Sequence, residues 1–205
     1  MRRMHLPIVL LLAAASAPAH EEPKPVISRD PLTVDQVAVY RAVLADYTKG
    51  EDSPLNLANR TEPFRMNDFQ DNKSCLKSAN IQVDVTRAKV VHRLSPAVAP
   101  GSRMVLVDPD LQSETVKKND PGNLIRRAVE DRQLLSDEEL GKSVDQAFVT
   151  GLFTFSEIAF NKLHTRAVLW YSFYCGGLCG HGNTVVLKKV NWKWKMSKTC
   201  GGWVS

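Results

Sequence analysis

Two of the four cysteines in this chain of 205 residues lie in one short, glycine-rich segment near the C-terminus. Residues 175–182, with the sequence CGGLCGHG, contain Cys175, Cys179 and one of the five histidines. Thiols and imidazole can form a disulfide, cycle between redox states, bind Zn²⁺, or act as a nucleophile and its base. Cys75 and Cys200 complete an even set, and four cysteines allow three pairings, which the sequence leaves open.

Besides a structural disulfide, this segment could form a redox site or a zinc site. Thioredoxin-like pairs have two residues between the cysteines at a helix N-terminus, whereas three residues separate Cys175 from Cys179, and Cys175 ends a strand-like run. A Cys₃His zinc site would use both of these cysteines with His181 and Cys200. An oxidising compartment favours disulfides, and a closed disulfide excludes zinc. We therefore favour a Cys175–Cys179 bridge that pins the loop, with the zinc or redox site as the alternative.

The sequence contains no recognisable catalytic motif. A protease nucleophile at Cys75 or Cys179 would need His92, His164 or His181 as its base, but no cysteine-protease signature surrounds either thiol. The patterns of serine hydrolases, zinc peptidases, P-loops and dinucleotide-binding loops are also missing. We therefore expect a protein that is not an enzyme and that needs no cofactor.

The N-terminus has the pattern of a secretory signal peptide. Two arginines precede an apolar stretch at residues 6–15, and the tripeptide Ala-Pro-Ala at 17–19 matches a cleavage signal. We interpret residues 1–19 as a signal peptide, which predicts a periplasmic or extracellular product. No later stretch reaches the roughly 20 apolar residues that a membrane span needs. Removal of the leader leaves 25 basic against 22 acidic side chains, a net charge of +3, which argues against nucleic acid as the main partner.

Glycines and lysines near the C-terminus suggest two kinds of anion contact. Four glycines around His181 could turn backbone amides toward an anion, although a tight bridged loop needs glycine for positive φ in any case. These glycines are Gly176, Gly177, Gly180 and Gly182. Five lysines make the tail basic, and no acidic residue follows Glu157. The tail predicts an acidic envelope partner or, more plainly, a solvated strand face that resists aggregation. The lysines are Lys188, Lys189, Lys193, Lys195 and Lys198.

The first half of the chain predicts one strong helix followed by an irregular region. Residues 20–32 are rich in proline and are predicted to be a flexible lead, and residues 33–205 are predicted to form one domain. Thr33 begins a capping box, and Gly50 follows where the helix should end. Residues 51–79 are predicted to be a loop with a short helix around 66–69. The inward positions expected on the first helix are Val34, Val37, Tyr40, Leu44 and Tyr47.

The middle of the chain predicts short strands and then two helices. Alternating apolar residues indicate a strand from Ile81, with a continuation toward His92, and residues 104–107 indicate a buried strand closed by a turn at residues 108–110. Asp120 before a proline predicts one helix start. A capping box at 136–139 predicts the other, with acidic residues in its first turn.

The last 55 residues predict an antiparallel meander of four strands. The strand-like runs are residues 153–160, 166–174, 184–190 and 192–198. The second run is apolar at both parities, which indicates a central strand that is covered on both faces. In the final run Trp192, Trp194 and Met196 should point inward, and Cys200 shares their parity, which predicts a buried cysteine with a nearby partner.

The order of several short segments resembles a group of small exported bacterial proteins of uncharacterised function. The shared segments are residues 39–44 (VYRAVL), 160–161 (FN), 174–180 (YCGGLCG), 186–187 (VL), 191–195 (NWKWK) and Trp203. The resemblance touches both ends of the domain, is loose between residues 49 and 147, and implies fold and compartment but no activity. Cys75 and Cys200 lie outside the shared pattern, which leaves their pairing with each other as the expectation.

Taken together, these patterns predict a single α+β domain. We expect the N-terminal and middle helices to pack on an antiparallel sheet that ends in the four-stranded meander, as in cystatin-like and NTF2-like folds by analogy only. The expected function is an exported, non-enzymatic binding or interaction domain stabilised by disulfides. A ligand-binding module should leave an open apolar pocket along the aromatic lining of the sheet. The expected lining is Trp170, Tyr171, Tyr174, Trp192 and Trp194.

Overall fold

The computed structural model describes residues 25–50, 53–64, 70–81, 90–99, 101 and 103–205. The predicted signal peptide, the predicted short helix at 66–69 and most of the predicted strand after Ile81 lie outside these residues. The helices are α1 (Val34–Tyr47), α2 (Gln70–Ser78), α3 (Pro109–Lys118), α4 (Pro121–Glu130) and α5 (Asp137–Thr150). The strands are β1 (Val26–Ile27), β2 (Leu55–Ala58), β3 (Val90–Val91), β4 (Met104–Val107), β5 (Leu152–Phe155), β6 (Ala159–Phe160), β7 (Arg166–Gly176), β8 (Cys179–Val190) and β9 (Lys193–Val204).

Seven of these strands form the main sheet. Its order is β4-β2-β5-β7-β8-β9, and β6 pairs with β7. The short connections from β7 to β9 give an antiparallel meander, as predicted. β2 pairs in parallel with both β4 and β5, and the three helices α3 to α5 supply the crossover between those two neighbours. The α+β prediction is therefore confirmed, with a sheet that is mixed at one side.

Helix α1 packs on one face of this sheet, which we call the α1 face. Its capping box is present, with the Gln36 amide N–H donating to the Thr33 hydroxyl oxygen. Tyr40 is fully buried, and its hydroxyl donates to the Ser156 carbonyl at 3.0 Å. Val34 is 87% exposed, so its predicted inward position is wrong. At the start of α1 the residue that contacts the sheet is Asp35, which accepts from Lys189 and Trp194, and Val34 is left in solvent.

The opposite face of the sheet, which we call the α2 face, is covered by two helices that the sequence analysis missed. Leu76 of α2 belongs to a small core with Val168 and Val186, and Val116 of α3 packs against Leu152. The predicted loop at 51–79 is wrong, because it contains β2 and α2. A four-residue strand and a very polar helix give weak periodicity, so composition alone suggested a loop.

The predicted turn after β4 is also wrong, because it is the start of α3. Asp108 is the N-cap, and its carboxylate accepts from the amides of Asp110 at 2.9 Å and Leu111 at 3.2 Å. Pro109 occupies the first helical turn, as Pro121 does in α4. Both predicted helices, α4 and α5, are confirmed. Residues 20–32 were predicted to be a flexible lead, but β1 within this range pairs in parallel with β3, so part of it is held against the domain.

Strand β9 forms the edge of the sheet and contains two register shifts. Met196 pairs with Leu187 and Lys198 with Val186, so Ser197 is an extra residue, and Gly201 is a second one. Trp194 therefore belongs to the α1 face, whereas Cys200 lies among the residues of the α2 face. The predicted disulfide partner of Cys200 is confirmed, but Cys200 is only partly buried, and the first bulge moves it to the opposite face from the one its parity suggested.

Candidate functional site

Three cations face one another at one end of the meander. In the strand register Arg166 of β7 lies opposite Lys188 of β8, which lies opposite Lys195 of β9, and all three are exposed. The ion pairs found among the described residues involve other side chains. Like charges directly opposite one another on neighbouring strands destabilise a sheet. This cationic row, defined as Arg166, Lys188 and Lys195, is therefore a feature that sheet stability alone does not favour.

The turn between β8 and β9 presents an exposed tryptophan next to the cationic row. Asn191 has φ 49° and Trp192 has φ 63°, the two left-handed conformations of a type I′ connection. Trp192 is 90% exposed, so its predicted inward position in the final strand is wrong. Glycine is the usual second residue of such a turn, and a bulky side chain there is an outlier. The hairpin thus holds an indole in solvent at a strained backbone position.

A second turn, residues 161–165, lies beside the end of β8. The Asn161 side chain organises it by accepting from the amides of Thr165 at 2.8 Å and Arg166 at 3.0 Å. The Lys189 amide donates to the Thr165 carbonyl at 2.9 Å, which fixes the turn against β8. Leu163 at its tip is 80% exposed. We call the two turns and the adjoining ends of β7, β8 and β9 the basic hairpin end.

Asp35, in the first turn of α1, anchors the basic hairpin end to the helix. Its carboxylate accepts from Lys189 Nζ at 2.7 Å and from Trp194 Nε1 at 3.1 Å. His164 Nδ1 lies 3.9 Å away. The hydrogen bond from Lys189 is the main cause that lowers the pKa of Asp35, and partial burial opposes it. The Lys189 ammonium also lies 5.9 Å from the Trp192 ring centroid.

The opposite end of the meander carries the cysteine segment. Cys175 and Cys179 form a disulfide with Cα atoms 5.1 Å apart, and Cys75 and Cys200 form another with Cα atoms 6.0 Å apart. β8 begins at Cys179, so the predicted loop shrinks to a two-residue turn. Three of the four predicted zinc ligands are thereby consumed. In the described part of the chain no three His, Cys, Asp or Glu side chains are grouped to hold a metal.

In the glycine-rich loop, where an anion site was the alternative to simple turn formation, the Gly177 amide is used by the protein itself. The Gly177 amide donates to a carboxylate oxygen of Asp120 at 2.9 Å, which ties the loop to the start of α4. Gly182 lies inside β8, where a Cβ atom would come within 2.4 Å of Trp203 Nε1. Gly176, with φ 137°, has the conformation that turning the loop requires. The glycines therefore serve turn formation and close packing.

His181 lies on the α1 face at this cysteine end, within a group of aromatic rings. Its ring stacks on Tyr47 at 5.7 Å and lies 5.9 Å from Phe173. Tyr47 also makes an edge contact with Tyr171, whose hydroxyl oxygen accepts from the Asn183 amide at 3.3 Å. Burial lowers the pKa of His181, which favours the neutral imidazole. This packed arrangement is suited to stabilising the sheet.

The predicted aromatic lining does not form one surface. Tyr171 and Trp194 belong to the α1 face and pack in the main core. Trp170 and Tyr174 have the opposite parity on β7, and Tyr174 is 42% exposed. Trp192 lies at the tip of the hairpin. The prediction of a common lining is therefore wrong, because residues of alternating parity were combined.

A carboxylate and a histidine that sequence analysis did not connect meet where the chain passes from β5 to β6. Glu157 is 9% exposed and accepts from the Thr61 hydroxyl and, at 2.8 Å, from the His92 amide. His92 Nδ1 lies 3.0 Å from both carboxylate oxygens. Such a pair can orient an imidazole for proton transfer. Cys75 and Cys179, which the sequence analysis considered and rejected as nucleophiles, are both in disulfides, so neither supplies the thiol that this pair would need to activate.

Two features of the basic hairpin end escaped the sequence analysis for different reasons. Asparagine at a two-residue connection is a signal for a type I′ turn, so Asn191 could have placed Trp192 at the tip. The contact between Asp35 and Lys189 joins residues 154 positions apart, and no local pattern indicates it.

Comparisons of the chain with protein-family models, with curated proteins and with solved structures find no match. The resemblance to a group of small exported proteins therefore stays a prediction, and function has to be argued from the site.

Proposed function

We propose that this protein is an exported, non-enzymatic interaction domain that binds an acidic partner of the cell envelope through its basic hairpin end. The observation that carries the proposal is the cationic row. Three like charges in direct register cost stability in the free protein, and an acidic partner would turn this repulsion into attraction.

The surroundings of the row support a binding surface that is formed before the partner arrives. The Asn161 side chain holds one turn, and Asp35 fixes the end of β8 against α1 through Lys189. Strands β6 to β9 and their connections contain no acidic residue. A preorganised surface of one charge sign attracts its partner over a distance and loses little freedom on binding.

The non-enzymatic part of the proposal rests on the engagement of the groups that could do chemistry. All four cysteines are paired, and His181 is packed among aromatic rings. Glu157 and His92 hold each other and the backbone between separate elements, which is a structural use of the pair. The export part rests on the N-terminal pattern and on the two disulfides, which suit an oxidising compartment.

Heparin, a polyanion, can test the binding proposal directly. The protein purified from the exported fraction should bind heparin, and the triple variant Arg166→Gln, Lys188→Gln, Lys195→Gln should elute at clearly lower salt, because screened ionic contacts are lost. The matched control removes the same charge from α3 and α5 through Lys117→Gln, Lys118→Gln and Lys142→Gln. Equal shifts in both triple variants would show that net charge alone is responsible and would contradict the proposal.

A further inference from the structure

The basic hairpin end combines its positive charge with large apolar side chains that point into solvent. Trp192 is 90% exposed and Leu163 is 80% exposed, one on each of the two turns. A polyanion would need only the cations. The two apolar side chains on the turns of the basic hairpin end indicate a partner that also has an apolar interior.

We infer that the acidic partner is the surface of an anionic phospholipid bilayer, an inference that rests on the proposed function and names its partner. Tryptophan prefers the interface between head groups and acyl chains, and each lysine or arginine near an anionic membrane adds about 1 kcal/mol of attraction. The basic hairpin end offers both at once. Trp192 and Leu163 enter the interface, and the cationic row stays among the phosphates.

The backbone of the hairpin adds a separate argument. Trp192 occupies a left-handed position where glycine would be free of strain. Strain at a single exposed residue points to a use of its side chain. The indole is 90% exposed and the Lys189 ammonium lies 5.9 Å from its ring centroid, so packing within the protein explains little of its presence.

Leu134, the most exposed large apolar side chain of the described residues, has a different charge setting. Leu134 is 96% exposed, yet it lies between Asp131 and Asp137 in the chain. An anionic surface would repel that region. Charge complementarity therefore favours the basic hairpin end over the Leu134 region as the membrane-facing one.

The test uses vesicles of phosphatidylglycerol and phosphatidylcholine at a ratio of about 1:2, with vesicles of phosphatidylcholine alone for comparison. The exported protein should sediment with the anionic vesicles only. Acyl chains that carry bromine should quench part of its tryptophan fluorescence, since bromine quenches an indole within the bilayer. Trp192→Gly should weaken vesicle binding by about tenfold and remove this quenching, because an indole no longer leaves water.

Leu163→Ser should weaken vesicle binding less than Trp192→Gly does, and Leu134→Ser, the control at the acidic region, should leave it unchanged. Two results overturn the inference while the proposed function stands. One is heparin binding without vesicle binding, and the other is equal vesicle binding by wild type and Trp192→Gly. A protein that binds neither heparin nor anionic vesicles would contradict the proposed function as well.

Discussion

The two ends of the β7–β9 meander are built from the same three strands but differ in how their residues affect stability. At the cysteine end a disulfide, a carboxylate from α4 and a group of stacked rings hold the strands together. At the basic hairpin end like charges face one another, and a tryptophan occupies a strained turn in solvent. One end is optimised for stability. The other keeps features that reduce stability and that a partner would compensate.

This contrast separates residues that are needed for folding from residues that are available for function. Substitutions at the cysteine end should lower the free energy of unfolding. Substitutions of the cationic row or of Trp192 should leave it unchanged or raise it, and should act on binding instead. Each of the following predictions tests one side of this contrast.

The disulfides should show the largest effect on stability. Cys75 and Cys200 are 125 positions apart, and loop-closure entropy predicts a loss of about 5 kcal/mol for Cys75→Ala, Cys200→Ala. The Cys175–Cys179 bridge spans 4 positions, and its removal should cost about 2 kcal/mol on the same basis. Urea denaturation of the two double variants provides the comparison. The reverse order would mean that local packing at the cysteine end outweighs chain entropy.

Gly182→Ala should destabilise the cysteine end by about 1–3 kcal/mol, because the added methyl group meets the Trp203 ring and the Tyr171 carbonyl. Gly141→Ala is the matched control, since a Cβ atom at that position on α5 meets no atom within 4 Å. Because Gly141 lies in a helix interior, Gly141→Ala should raise the free energy of unfolding by about 0.5–1 kcal/mol. Thermal unfolding of both variants measures the difference, and a loss in both would argue against close packing as the cause.

At the tip of the hairpin, Trp192→Gly should be more stable than Trp192→Ala by about 1 kcal/mol, because only glycine adopts the left-handed conformation without strain. Both variants lack the indole, so the pair isolates the backbone term. Chemical denaturation gives the two free energies. Equal values would remove the strain argument, although the vesicle experiment would still test the role of the indole.

The two ends should respond to acid in different pH ranges. The pKa of His181 lies below its ordinary value of 6.5 because of burial, so the unfolded chain takes up the proton first. The stability that His181 contributes is fully present above pH 6.5, and it falls as the pH decreases toward the lower pKa of the folded state. Asp35, with its pKa below 3.8 mainly because of Lys189, contributes stability above 3.8 that is lost at stronger acidity.

Comparing each variant with wild type over pH isolates these two contributions. His181→Gln should flatten the stability profile in mild acid, just below pH 6.5, and Asp35→Asn should do so only in strong acid, below about pH 4. The difference between wild type and variant cancels the titration of the other groups. If His181→Gln acted only in strong acid, or Asp35→Asn in mild acid, other groups would be responsible for these two contributions to stability.

Elements with local signals could be predicted, whereas features that depend on distant contacts could not. The capping boxes at Thr33 and Ser136 and the Asp120 cap gave three helices correctly. The same chemistry at Asp108 was interpreted as a turn, since Asp-Pro also begins turns and the helix that follows has few apolar residues. The bulge at Ser197 is invisible to an alternation argument, because alternation assumes that no residue is inserted.

The candidate site was predicted in part for a similar reason. The basic tail is a property of composition and could be identified from the lysines. Predicting the cationic row would have required the strand register, because Arg166 lies 22 positions before its partner Lys188 in the sequence. The exposure of Trp192 required the turn conformation, and Leu163 gave no signal beyond an apolar residue in a polar turn.

Strand β9 has a consequence for self-assembly. An edge strand of 12 residues is long enough to template a second copy of the chain in an extended sheet. Its bulges interrupt the regular spacing of the backbone groups that such an addition needs, and Lys193, Lys195 and Lys198 would place like charges on both strands of the new pair. Molecules gathered at high local concentration would therefore stay separate, each with its own surface, and would not polymerise edge to edge.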